Sequence, residues 1–240
     1  TLCYYMEQTN QFDLISIIGL PLKVGDLLLN VAVVLQKGKI LGVIPKTYLP
    51  NYGEFYEKRW FASSQDLRPT EVVIADQKLL ISAKPKLFST ASGVLFGIEI
   101  CEDVWAPIPP SNRLTLSGAD IIFNLSASDE LIGKHNYLKS LLSQQSARTI
   151  CGYIYSGSGF GESTQDLVFG GNALIYENGR LIASGKRFSL ESQMVTSQID
   201  VEMLRSERRD NTTYINAQRS SELGIEQIDI IPCFERETNV

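Results

Sequence analysis

Short runs of β-branched and other apolar residues recur along the whole chain, each closed by a turn signal, and this rhythm restricts the architecture to layered sheets. Asp13 to Leu20, followed by Pro21, reads as a buried strand. Val31–Leu35 and Ile40–Ile44 flank Gln36-Lys37-Gly38-Lys39, which predicts a hairpin. A second hairpin is written in NALIYENGRLIASG, where Asn178-Gly179 tolerates the positive φ of a tight turn. EVVIADQKLLISAKPKLF, VLFGIEIC, DIIFNLSAS and TICGYIYSG supply further strands. Helical spacing is clearest in HNYLKSLLSQQSARTI, where Tyr137, Leu138, Leu141, Leu142 and Gln145 share a face. A shorter helix is expected from Ser111 as N-cap. Strands followed by helices, with hairpins between, predict sheets with helices outside.

The chain has 240 residues, 44% of them hydrophobic and 20% charged, enough to bury a substantial core. With 22 basic against 27 acidic residues and no long run of like charge, nucleic-acid binding is not expected. No apolar stretch reaches the length of a membrane span, and the opening TLCYYMEQTN lacks a signal-peptide profile. No linker or composition shift divides the sequence, so one core is expected over residues 1–240. Cys3, Cys101, Cys151 and Cys233 are widely spaced and share the chain with a single histidine, His135. That pattern suggests neither a zinc site nor a disulfide framework, and predicts a reducing, cytoplasmic setting.

Chemistry is most concentrated in VLFGIEICEDVW, an apolar strand that ends in Cys101 beside Glu102 and Asp103 and runs into the turn-rich APIPPSN. A strand end exposes a nucleophile while the sheet holds it still. Cys101 could equally be a small buried hydrophobe. A thiol of ordinary pKa needs about 2 kcal/mol of help to be half ionised at neutral pH, so a cation should be near.

Lys46, at the end of KILGVI and between Pro45 and TYLPNYGEFYEKRWF, is the candidate. Most lysines are solvated. Here Tyr48, Tyr52, Phe55, Tyr56, Trp60 and Phe61 crowd Glu54, Glu57, Lys58 and Arg59, which suggests a partly buried pocket wall. An ammonium about 4 Å from a thiolate, at an effective dielectric of 20, contributes about 4 kcal/mol, and the same charge stabilises an oxyanion. His135, between Lys134 and Asn136 on the helical pattern, reads as a surface residue, so histidine-based mechanisms are disfavoured. There is no GxSxG elbow or GxxxxGK[ST] loop. Gly157-Ser158-Gly159-Phe160-Gly161 reads as a close-packed loop at a pocket mouth or as an ordinary flexible loop.

KTYLPNYGEFYEKRWF and GIEICEDVW together resemble the nitrilase, or carbon–nitrogen hydrolase, superfamily, and within it the glutamine amidotransferase domain of glutamine-dependent NAD synthetases. SIIGLPL, AVVLQKGKILGVIPK, NLSASDE and LVFGGNALIYENG extend the similarity over most of the chain. The resemblance implies an α/β fold, a four-layer αββα sandwich, and a Cys-Lys-Glu triad with Cys101 as nucleophile and Lys46 stabilising the tetrahedral intermediate. Glu54 matches a second carboxylate of many nitrilases. It further implies that Tyr52, Glu102, Trp105, Ser128 and Lys134 line a pocket for L-glutamine, although some relatives carry an arginine at the last place.

Two departures shape the expectation. In the family the triad glutamate lies on an early strand, in a segment like FPELCLTGY, whereas residues 1–12 hold only Glu7 in a helix-like TLCYYMEQ. Expelling ammonia needs a proton donor, which Lys46 cannot be without giving up its charge. The expectation is therefore a truncated glutaminase domain that lacks its first strand or strands and is impaired or inactive, unless Glu54 substitutes. Unpaired sheet edges would follow from such a loss. The family's ATP-pyrophosphatase domain, with its SGGxDS-like loop, has no counterpart in the sequence. Ammonia would pass to a separate synthetase domain that alone needs ATP and magnesium. Residues 225–240 would be an interdomain tail, and the hydrolysis itself implies no cofactor and no metal. The resemblance also implies a homo-oligomer. A stand-alone amidase or nitrilase on another small amide, and a catalytically incomplete assembly module, remain the alternative readings.

Overall fold

Turn chemistry sets the register of the first strands in the computed structural model, which describes residues 2–162, 167–222 and 228–234. After a short helix α1 (Leu2–Thr9), strands β1 (Ile15–Val24), β2 (Leu27–Gln36) and β3 (Lys39–Pro45) form an antiparallel sheet in that order. Lys37 and Gly38 occupy φ of 47° and 68°, the left-handed pair that a two-residue hairpin demands. The turn is shorter than the four-residue link expected, because Gln36 and Lys39 already pair across it. β1 is an edge strand rather than a buried one, with Gly19, Pro21 and Lys23 exposed. Its position explains why it continues through Pro21, since an edge tolerates the missing N–H. β2, in the middle, is buried without interruption from Val31 to Gln36.

β4 (Thr70–Ile74) and β5 (Gln77–Ile81) form a further hairpin, turning at Ala75 and Asp76 with φ of 48° and 59°. The core here gathers Val24, Leu29, Val31, Val33, Leu35, Ile40, Val43, Leu67 and Ile81, and Met6 of α1 packs on it. β6 (Lys86–Ser89) lies over Gly42, where an added Cβ would come within 2.9 Å of the Phe88 ring, so only glycine lets the strands approach this closely.

A second set of elements follows. β7 (Leu95–Ile100), β8 (Ile121–Ser126) and β9 (Gly152–Gly157) run parallel, joined by crossovers through α2 (Pro110–Leu116) and α3 (Lys134–Thr149). β10 (Ala173–Glu177) pairs antiparallel with β9, and β11 (Arg180–Ser184) with β10, through the expected Asn178-Gly179 turn at φ of 44° and 83°. Gly97 of β7 admits Leu114 of α2, which an added Cβ would meet at 2.9 Å. α2 begins at Pro110 with Pro109 as N-cap, so Ser111 is inside the helix and not its cap. α3 buries Leu138, Leu142 and Gln145 as expected, whereas Tyr137 is exposed. α4 (Val201–Asp210) and α5 (Thr212–Glu222) close this set. The Arg208 guanidinium donates to the carbonyls of Ile150 and Ala119 at 2.9 and 2.7 Å, and Arg205 grips Asp120 with two bonds of 3.0 and 2.8 Å.

The chain divides into two compact units, one running to Leu95 and taking back the segment from Ile228, the other beginning at Phe96. No linker announces the division. Of the tail 225–240, residues 228–234 are described: β12 (Asp229–Pro232) pairs in parallel with β6, and Gln36 clamps Phe234 by accepting its N–H at 2.7 Å and donating to its carbonyl at 3.1 Å. The rest of that tail lies outside the described residues. Among the described residues no helix is long and apolar enough to cross a membrane.

Candidate active site

β3 hands the chain to Lys46 in a way that fixes its backbone on both sides. Its N–H donates to Asn30 O at 2.9 Å, and its carbonyl accepts from Ser64 N at 2.9 Å. The side chain is buried, 3% exposed, and Nζ meets Glu57 Oε2 at 2.5 Å. Asn30 Nδ2 donates to the other oxygen of Glu57 at 2.8 Å, so that carboxylate is oriented as well as paired. Lys46 is thus no solvated surface charge. The carboxylate it holds is Glu57, in the 3₁₀ turn Glu57–Arg59, and not Glu54, which lies half-buried in the preceding loop. Both acids stand in the segment after Lys46, and only the side-chain geometry distinguishes them. The aromatic loop is less enclosed than a pocket wall requires. Tyr52, Tyr56 and Trp60 are exposed; Tyr52 makes an edge contact with Phe55 and Arg59 lies over Trp60.

The second unit carries Cys101, Glu102, Trp105, Ser128 and Lys134. β7 stops at Ile100, and Cys101 opens the 3₁₀ turn Cys101–Trp105 with φ of +49°. A left-handed conformation costs a non-glycine residue about 1–2 kcal/mol, and such strain persists only where the surroundings impose it. They do so here. Ile100 N–H donates to Asp103 Oδ2 at 2.9 Å, and Cys101 N–H donates to Asn124 Oδ1 of β8 at 3.1 Å. The same Asn124 donates to Tyr153 Oη at 3.1 Å, and the Tyr153 hydroxyl donates in turn to Glu99. Glu99 also accepts from Ser111 N–H at 2.8 Å. Burial raises the Glu99 carboxyl above its ordinary range, against hydrogen bonds from Tyr153 and Ser111 that lower it. Burial and then the Glu99 charge push the Tyr153 phenol well up.

Four of the expected pocket residues, Glu102, Trp105, Ser128 and Lys134, lie in this unit. Ser128 hydrogen-bonds the buried Tyr155 hydroxyl, which donates to Ser126 Oγ at 2.6 Å and whose ionisation is pushed up by burial and by the Cys101 charge. Lys134 pairs with Asp129 and lies 5.8 Å from the Trp105 ring centre, while Trp105 stacks on Tyr137 at 5.5 Å. Glu102 shares the 3₁₀ turn with Cys101 and Trp105.

Several residues in this unit were not selected from sequence. Glu130 is held by Arg187 at 2.6 Å and by Asn172 at 2.6 Å, and Asn172 in turn bonds His135 Nδ1 at 2.9 Å. His135 is therefore half-buried and partnered, not a plain surface residue, and burial lowers its pKa. Glu99 and Asn124 carried a readable signal, each a polar residue set inside an otherwise apolar strand. The Gly157–Gly161 segment is tied down at its start, where Gly157 N–H and Ser158 N–H donate to Asn172 O and Ser126 O at 2.7 and 2.9 Å, whereas Phe160 and Gly161 are exposed. No cluster of His, Cys, Asp and Glu able to hold a metal ion occurs among the described residues.

Comparison with known proteins decides the family. The glutamine-dependent NAD(+) synthetase of Mycobacterium leprae is 38% identical over 207 residues, which is 85% of this chain and 30% of that protein. This chain is a homologue of one part of the glutamine-dependent NAD(+) synthetases. It spans about 30% of the length of the curated relatives it matches. A solved glutamine-dependent NAD(+) synthetase from Cytophaga hutchinsonii superposes with a TM-score of 0.68 at 25% identity, over 80% of this chain and 31% of that one. A carbon–nitrogen hydrolase from Helicobacter pylori superposes with a TM-score of 0.68 at 20% identity, over 90% of this chain and 71% of the other, so the fold is the α/β fold of the nitrilase superfamily. No family model matches the sequence.

Proposed function

We propose that this chain hydrolyses the amide of L-glutamine, with Cys101 as nucleophile, and that its ammonia serves a synthetase domain of the kind its relatives carry. The observation that carries the reading is the left-handed Cys101 at the end of β7, a strained side-chain mount of the kind that sharp strand-to-helix turns give to nucleophiles. In this reading Sγ gives up its proton and attacks the γ-carbonyl carbon, the C–N bond breaks as a proton is delivered to the departing nitrogen so that ammonia leaves, and a γ-glutamyl thioester forms. Water then adds, the thiol leaves, and glutamate is released.

Lys46 is assigned to the oxyanion, because a buried ammonium, held by a carboxylate, is ready to stabilise developing negative charge. We assign the second carboxylate to Glu57 in place of Glu54, since Glu57 is the acid that Lys46 and Asn30 hold. Tyr52, Glu102, Trp105, Ser128 and Lys134 are assigned to glutamine recognition by resemblance. The pairing of Lys134 with Asp129 makes that lysine an oriented cation, suited to a substrate carboxylate. No cofactor enters this hydrolysis, ATP and magnesium belonging to the synthetase reaction. A cytoplasmic homo-oligomer completes the proposal, and the four free cysteines accord with a reducing compartment.

Intact-mass analysis after incubation with 6-diazo-5-oxo-norleucine, beside a Cys101→Ala control and an ammonia assay on glutamine, tests this. Labelling of Cys101 with ammonia release is the expected result. Labelling without turnover would mean an incomplete catalytic set, as the sequence led us to expect. Absence of labelling would overturn the glutamine reading in favour of another small amide or a purely structural module.

A further inference from the structure

Glu99 and Asn124 are fully buried polar groups in strands built mostly of isoleucine, leucine and phenylalanine, and Tyr153 is fully buried on the neighbouring strand. Glu99 and Asn124 face each other in the β7–β8 ladder, and Tyr153 stands on β9 beyond them. Apolar side chains at these places would pack without the desolvation cost that polar groups carry. Their bonds instead form one line that ends at the backbone of Cys101. Tyr153 has a single hydroxyl proton, and it goes to Glu99. Only lone pairs are left for Asn124, so the amide turns its NH₂ toward Tyr153 and its oxygen toward the Cys101 N–H. The orientation of Asn124 is thereby decided by a carboxylate two residues before the cysteine.

We infer that Glu99, Tyr153 and Asn124 are positioning residues which act as one relay, holding Cys101 in its left-handed conformation and so setting the aim and reactivity of its thiol. The inference rests on the reading of Cys101 as nucleophile. It assigns the Cys101 N–H to Asn124, which leaves oxyanion binding to other donors. It also explains why a non-glycine residue keeps a positive φ at this point: Asn124 accepts the Cys101 N–H at 3.1 Å and donates to the Cys101 carbonyl at 3.5 Å, so the peptide groups on both sides of that φ are held by one side chain.

The other cysteines make the test internal to the molecule. Cys3 is exposed and serves as the reference for a soluble alkylating agent; Cys151 and Cys233 are buried and report loss of the fold. The full chain, Tyr153→Phe, Asn124→Ala and the double variant are treated with iodoacetamide across a pH series, and each cysteine is followed by peptide mass spectrometry. Both single variants are expected to change the Cys101 rate relative to Cys3 by about 10-fold or more, with Cys151 still protected, as displacement of a reacting group by even 1 Å commonly does. The double variant should be no worse than the worse single, because the two act through one chain of bonds. On glutamine, kcat should fall about 10–100-fold with KM changed less than about 3-fold, and Glu99→Gln, which keeps an acceptor for Tyr153, should recover much of the rate.

An unchanged Cys101 to Cys3 ratio in a folded Tyr153→Phe variant overturns the relay, as do additive effects in the double variant. If both single variants expose Cys151 to the reagent, the network is a fold element only and the inference fails. If 6-diazo-5-oxo-norleucine leaves Cys101 unlabelled and glutamine is not turned over, while the reactivity of Cys101 toward iodoacetamide still answers to Tyr153 and Asn124, the glutamine reading falls and the relay stands.

Discussion

Two strand ends present the two side chains to which the proposed chemistry is assigned, and they are held by different physics. At the end of β3, Lys46 has a relaxed backbone and a buried charge, and what fixes it is an ion pair with Glu57, eleven residues away in sequence. At the end of β7, Cys101 has a strained backbone, and what fixes it is Asn124 of β8, which bonds its N–H and is itself bonded to Tyr153 of β9. A charge is held by a counter-charge close along the chain. The cysteine is held by a bent backbone, tied to a side chain of a neighbouring strand.

The sharpest way to break that comparison is to remove the counter-charge. Glu57→Ala strands a buried ammonium, and the expected loss is about 3–5 kcal/mol of unfolding free energy, read by urea titration. Glu54→Ala, at a half-buried position, should cost far less, and equal losses would dissolve the assignment of Glu57.

A pH series probes the other end. Glu99 has its folded pKa raised by burial, so the folded state binds its proton more tightly than the unfolded chain does. Its contribution to stability is fully present below the ordinary glutamate pKa and is lost as the pH rises through the folded value. Melting temperatures should therefore decline over that window, and Glu99→Gln should flatten the slope; an unaltered slope would place the titrating group elsewhere.

The smallest expected effect isolates the backbone strain. Cys101→Gly should be more stable than Cys101→Ala by about 1 kcal/mol in thermal or urea unfolding, since glycine occupies a positive φ without penalty. Both variants should lack turnover. Equal stability would mean that the left-handed geometry is unstrained and that the contrast between the two strand ends is one of charge alone.

Much of the framework was legible in the residues because its causes are local. Asn178-Gly179 turns where its tolerance of positive φ allows, α3 follows its apolar spacing, and GIEIC ends as a strand with the cysteine at its tip. The extension of β1 through Pro21 was not legible, because whether a strand lies at an edge depends on what pairs with it. Ser111 was misplaced as a helix cap for a related reason: its N–H is taken by Glu99 from another strand, and Pro109 stands at the cap. Lys46 and Cys101 stood out from sequence, whereas Glu57 was indistinguishable from Glu54 without coordinates.

By itself the sequence determined the alternation of strands and helices, the positive-φ turn at Asn178-Gly179, and the two segments that carry Lys46 and Cys101. These depend on propensities and spacings within a few residues. Tertiary structure alone decided which acid Lys46 holds, that Cys101 is strained, and that Glu99 and Tyr153 are linked through Asn124 to its backbone. Those outcomes depend on burial and on distances between residues far apart in the chain, and neither quantity is written in any local pattern.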